Sequence, residues 1–221
     1  MRFTDAFLVL CLLWSTVVCF QMIVRDLTST SGTTETDKEP LPLRTIFQIG
    51  DFTVCFHWSV IVVVVCFVIG VMYDIERFYF SYLSIFYMVN VLLTLVHELG
   101  HSLTCKIVGA KVYGVFVSYS GGRCYTDGSN SHLKSILIYA SGPFADLCVL
   151  VIALLMLPEP DSIASYAIWW TLLPWNAFGI VWNLIPRTVG DNGTDGYNIL
   201  YHIRNYRVPI TAPLQLEHQT Q

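Results

Sequence analysis

Five stretches of the chain are apolar over helical lengths, at roughly Ala6–Val24, Val54–Tyr73, Leu83–Cys105, Ile136–Leu157 and Ile163–Ile185. Each approaches the roughly 20 residues that a membrane-spanning helix needs. Polar connections separate them. Arg25–Gly50 contains "TSTSGTTETDKEPLP", rich in Ser, Thr and charge, which reads as a flexible linker. Lys106–Ser135 contains "KVYGVFVSY" followed by Gly and Asn turns, which predicts a two-strand β-ribbon between two helices. The tail "VPITAPLQLEHQTQ" predicts no regular structure, and no internal repeat is present.

The expected fold is therefore an all-α polytopic membrane protein. It has about five transmembrane helices, with a small β-ribbon after the third. Residues 1–24 form an N-terminal transmembrane helix or signal, 25–45 a linker, 46–205 a core and 206–221 a disordered tail. Composition agrees with this class. The 221 residues are 54% hydrophobic and 13% charged, against about 25% charged in ordinary globular domains. The mean hydropathy is +0.57. A net charge of −4 implies no nucleic-acid partner. The seven cysteines form no CxxC pair and mostly lie in apolar runs, as small buried hydrophobes do.

Loop charges give an orientation. Arg25, Lys38 and Arg44 fall on the same side as Lys106, Lys111, Arg123, Lys134, Arg187, Arg204 and Arg207. The other side carries Arg77 beside Asp74 and Glu76, and Glu159 with Asp161. The positive-inside rule places the linker, the ribbon and the C-terminus in the cytoplasm. A cleaved signal would leave the linker outside, so a retained first helix fits the charges better.

One apolar run is interrupted by ionisable groups: "VLLTLVHELGHSLTC", Val91–Cys105. Such groups are costly in a bilayer and usually functional. The "HELGH" within it fits HExxH. His97 and His101 share one helix face, so both imidazoles can hold one zinc ion, and Glu98 beside them can take a proton from activated water. The competing explanation is a chance match, with both histidines bonded to backbone. Membrane context makes that expensive.

Catalytic zinc usually takes three protein ligands. A third histidine six residues after the second is absent, since position 107 is Ile107. Cys105 lies about 12 Å along the axis from His97 at 1.5 Å per residue, too far for one straight helix to wrap one ion. The remaining candidates lie in "WNLIPRTVGDNGTDGYNIL". There Asn183 and Pro186 break the last apolar run, Asp191 and Asp195 follow, Thr194 can cap a new helix, and Gly196 permits close approach. Either carboxylate could close the site.

Taken together, these motifs resemble the site-2 protease family of intramembrane zinc metalloproteases. "HELGH" matches its HExxH helix, and "NLIP…TDG" its Asn-x-x-Pro and Asp-Gly motif. "ASGPFADLCVL" is similar to its Gly-Pro segment, with Asp146 where Asn is often found. "GDFTVCFHWSVIVVV" and "SYSGGR" resemble its first core helix and its paired-glycine strand. The resemblance covers roughly Ile46 to Arg204.

It implies zinc held by His97, His101 and an aspartate, Glu98 as catalytic acid/base, and cleavage of transmembrane protein substrates within the bilayer. Asp191 has the commoner spacing from the proline but is followed by Asn192. Asp195 is followed by Gly196 but comes four residues later, and is favoured as the ligand. Asn183 resembles a family residue that helps bind substrate or an oxyanion; a helix-breaking hydrogen bond explains it equally well. The rivals are a non-catalytic member that binds membrane partners and a zinc hydrolase acting on lipid. His57, His132 and His202 read as interfacial or surface residues, and Trp169, Trp170 and Trp175 as an interfacial belt. Asp146 could bond across helices and Gly142-Pro143 could permit a tight bend, with packing the favoured reading of that segment. The "NGT" sequon at Asn192 is discounted because the topology places it in the cytoplasm.

Overall fold

A computed structural model describes residues 44–49, 52–56, 58–72, 78–118, 121–127, 129–189 and 192–210. The expected first helix, most of the linker, His57, Asp191 and the end of the tail lie outside them. In chain order the elements are β1 (Arg44–Ile49), β2 (Phe52–Phe56), α1 (Trp58–Met72), α2 (Phe78–Ile107), β3 (Val112–Ser118), β4 (Gly121–Thr126), α3 (His132–Met156) and α4 (Ile163–Trp170). A π-helical turn (Thr171–Trp175), α5 (Asn176–Leu184), β5 (Thr188–Val189), β6 (Asn192–Gly193) and α6 (Asp195–Arg204) complete them.

Two helices are long and apolar enough to cross a membrane: Tyr82–Ile107 within α2, and α3. The apolar residues of α3 divide cleanly. Ile138, Gly142, Pro143 and Ala153 are buried, while Leu147, Val151, Ile152, Leu154, Leu155 and Met156 face outward. The small residues Gly142 and Ala153 on the buried face allow close helix packing, while most of the large apolar side chains face outward. At the crossing, Gly100 of α2 lies so near Ser141 that an added Cβ would stand 2.6 Å from its carbonyl oxygen. The helix α2 ends at Gly109, whose φ of 82° suits glycine, with the Ala110 amide returning to the Cys105 carbonyl at 2.8 Å.

The chain is not all-α. In place of a two-strand ribbon there is a four-stranded sheet in the order β1-β2-β3-β4. The ribbon β3–β4 is antiparallel as expected, but β2 pairs parallel to β3. A parallel pair needs a long crossover, and here α1 and α2 supply it. The start of the second apolar run is thus strand, not helix, and β1 begins inside the expected linker. Val54 and Phe56 of β2 pack with the β3 core residues Val112, Val115 and Val117 and with Val91, Leu95 and Cys105 of α2. Burial in a sheet explains why the run looked helical: an unbroken apolar stretch fits either element. Cys105 is fully buried in this core, as expected of a packing residue.

The last apolar run is continuous in the backbone from Ile163 to Leu184 but passes through the π-helical turn at Pro174, which removes one backbone donor. Trp175 there is more than part of an interfacial belt, because its indole N–H donates to Asn90 Oδ1 of α2 at 2.7 Å.

His132 and His202 are buried, not superficial. Their Nδ1 atoms lie 2.8 Å apart, joining the start of α3 to α6. His132 Nε2–H donates to the Val208 carbonyl at 2.8 Å, so its Nδ1 accepts and His202 donates. The tail is therefore pinned at Val208. Burial, and then the neighbouring His132, push the His202 imidazole down to about 4. Unfolded chain takes up a proton at this residue near 6.5, native chain only near 4. The unfolded state holds more protons in that window, so stability falls as pH drops through it. Melting temperature in detergent should decline between pH 6.5 and 4, and less steeply in His202→Phe. Equal slopes in both proteins would show that the pair does not carry the effect.

Candidate metal centre

His97 and His101 lie one turn apart on α2 and present their Nε2 atoms to Asp195, the first residue of α6. Thr194 sets the start of that helix. Its hydroxyl accepts from the Tyr197 amide at 3.3 Å and donates to the Ile185 carbonyl at 2.8 Å, tying α6 to the end of α5. The strands β5 and β6 pair antiparallel, which sets Thr188–Val189 beside Asn192–Gly193 ahead of Asp195. Gly196 then packs on the Leu184 carbonyl so closely that no side chain would fit.

The ligand geometry is compact. His97 Nε2 stands 3.1 Å from Asp195 Oδ2, His101 Nε2 is 3.5 Å from Asp195 Oδ1, and the two Nε2 atoms are 3.2 Å apart. Donors held about 2.0–2.1 Å from one tetrahedral ion lie about 3.3 Å from each other. Among the described residues, these three form the cluster able to hold a metal. Asp191 lies outside the described residues.

The protonation pattern also asks for a cation. His97 Nδ1 meets Asp146 Oδ2 at 2.7 Å, and His101 Nδ1 meets the Ile138 carbonyl at 2.7 Å. Both partners can only accept, so each Nδ1 carries the hydrogen. In the neutral rings each Nε2 then has a bare lone pair, and both lone pairs converge on a carboxylate. An anion and two lone pairs at one buried point fit a metal ion.

Close backbone contacts make the room. A Cβ on Gly142 of α3 would stand 2.5 Å from His101 Nε2 and 2.6 Å from His97 Nε2. On the other side, a Cβ on Gly122 of β4 would stand 2.6 Å from Glu98 Cγ and 2.8 Å from its Oε1. Glu98 is thus buried against the bare backbone of the paired-glycine strand. Asn183, at the end of α5, donates to Asp195 Oδ2 at 2.7 Å and lies 3.2 Å from His97 Nε2. Its side chain thus reaches both His97 and Asp195 from the end of α5.

Asp146 makes the bond across helices that was one of its two readings. It does not merely pack between helices, because its carboxylate holds His97. The available signal was the charge itself: a carboxylate inside an apolar helix is a functional candidate by default.

Residues 58–182 match the model of a family described as "Peptidase M50B-like". That span holds His97, Glu98, His101 and Asp146, and stops one residue before Asn183. The fold is similar to that of the solved Site-2 Protease from Methanocaldococcus jannaschii, with a TM-score of 0.51, 21% identity, and coverage of 76% of this chain and 74% of that one. No curated protein sequence matches the chain. The family match extends over more than half of the chain, and on that ground the chain belongs to the Peptidase M50B-like membrane metalloproteases, the site-2 protease family.

Proposed function

We propose that the chain is an intramembrane zinc endopeptidase that hydrolyses peptide bonds within or near transmembrane segments of membrane proteins. The convergence of His97, His101 and Asp195 beside a buried Glu98 carries this reading. The three side chains would hold Zn²⁺, with one coordination position left for water or substrate. Zinc bound there supplies the Lewis acidity that makes water nucleophilic at neutral pH.

The remaining work falls to the protein. Glu98 takes the proton from the attacking water and delivers it to the leaving nitrogen. Its contact with Gly122 fixes its position and excludes bulk water from that side. Asn183 steadies Asp195, and its amide lies close enough to the ligands to donate to an oxygen of the reacting carbonyl. A helical substrate amide is hydrogen-bonded and covered, so a bound segment must unwind locally to reach this site.

The proposal includes a multi-pass topology. Together with α2 and α3, the continuous segment Ile163–Leu184 and α1 would span the bilayer, with the C-terminus in the cytoplasm. Against the non-catalytic reading, Asp195 lies within 3.1–3.5 Å of both imidazoles despite its unusual spacing from Pro186. No feature of the site favours a lipid substrate.

Purified wild type should carry one zinc per chain, measured by elemental analysis. Asp195→Ala should lose it. Gly142→Ala should lose it too, since its methyl would occupy the space between the imidazoles. Zinc retained at full occupancy in both variants would refute the ligand set. Separately, Glu98→Gln should keep zinc and fold but slow cleavage of transmembrane-peptide reporters in liposomes by about 10²–10⁴-fold. Full activity in that variant would sink the mechanism.

A further inference from the structure

The two imidazoles are held differently. His101 Nδ1–H donates to a neutral backbone carbonyl, that of Ile138, whereas His97 Nδ1–H donates to the carboxylate of Asp146. The latter bond is 2.7 Å long and both side chains are largely buried, with 13% and 12% of their surfaces exposed. The helix turn that carries Asp146 is itself braced. The buried Asn176, at the start of α5, donates its side-chain amide to the Asp146 backbone carbonyl at 3.1 Å. Asp146 is thus fixed through its main chain while its carboxylate is aimed at His97.

We propose that Asp146 is a positioning residue whose negative charge, and not only its shape, strengthens His97 as a metal ligand. This rests on the metal reading above. Two consequences follow from the geometry. The bond locks the His97 ring, because flipping it would turn carbon edges toward both Asp146 and Asp195. The anion also draws the Nδ1 proton toward itself and raises electron density at Nε2, which makes His97 the stronger donor of the pair. Carboxylate–histidine–metal arrangements act this way, and loss of such a partner typically weakens metal binding about 10- to 100-fold.

The test separates charge from shape. Asp146→Asn keeps an acceptor oxygen of the same reach and removes the charge, while Asp146→Ala removes both. Zinc affinity would be measured for the full chain in detergent by competition with a chromogenic chelator. The visible absorption bands of Co²⁺-loaded protein would report ligand geometry. Asp146→Asn should bind zinc about 10-fold more weakly than wild type with the cobalt band pattern preserved. Asp146→Ala should lose about 100-fold and change the pattern. Asp146→Asn within twofold of wild type would overturn the proposal, whatever the alanine variant does and even if it fails to fold. A wild type that binds no zinc would remove the metal reading, and this inference with it. Zinc-binding wild type with an indifferent asparagine variant would remove only this inference.

Discussion

Two imidazole nitrogens and a carboxylate meet at one buried point, where neutral rings leave the charge of Asp195 to be balanced by a cation. The Nε2 atoms of His97 and His101 face each other at 3.2 Å, and Asp195 adds a negative charge. Burial leaves little water to solvate that convergence. The surrounding structure makes sense as the means of forcing it. Gly142 lets α3 approach the rings, acceptors on α3 fix both tautomers, and the Thr194 cap brings α6 in from a part of the chain almost a hundred residues away. A cation bound between these groups would offset the cost of bringing them together.

The helices alone would not hold Glu98. Its neighbour on one side is the backbone of Gly122, which belongs to the sheet, and the sheet is anchored by the parallel β2–β3 pair. The segment that precedes α1 therefore contributes to the site without supplying a single ligand. Its effect is steric: it keeps β3, and through β3 the edge strand β4, pressed against the polar face of α2. The core residues Val91, Val115, Val117 and Cys105 fill the space between.

Much of this was legible in the residues. The spacing of His97, Glu98 and His101 put three groups on adjacent helix faces, and a four-residue period is local information. Thr194 and Asp195 were readable as a helix start, also locally. Asp195 could be favoured over Asp191 only through the Asp-Gly pair. The rest depends on contacts between distant segments. The His132–His202 pair joins residues 70 apart, and either imidazole alone looks like a surface residue. The parallel β2–β3 pairing was hidden because "TVCF" runs directly into the apolar stretch of α1. A bond from Asp146 across helices was one of its readings, but its partner was not legible, since only the crossing of α2 and α3 brings it to His97.

The helix α3 has a mechanical consequence. Its Ile138 carbonyl and Asp146 carboxylate hold the two rings, and its first residue, His132, holds the helix that carries Asp195. All three ligands are thus referenced to one rod. Sliding that rod by a single residue would move every reference by about 1.5 Å and turn it by about 100°, dismantling the centre at once. α3 therefore behaves as a datum rather than a moving part. The helix α1, by contrast, packs on α2 and β3 and bears none of these three residues.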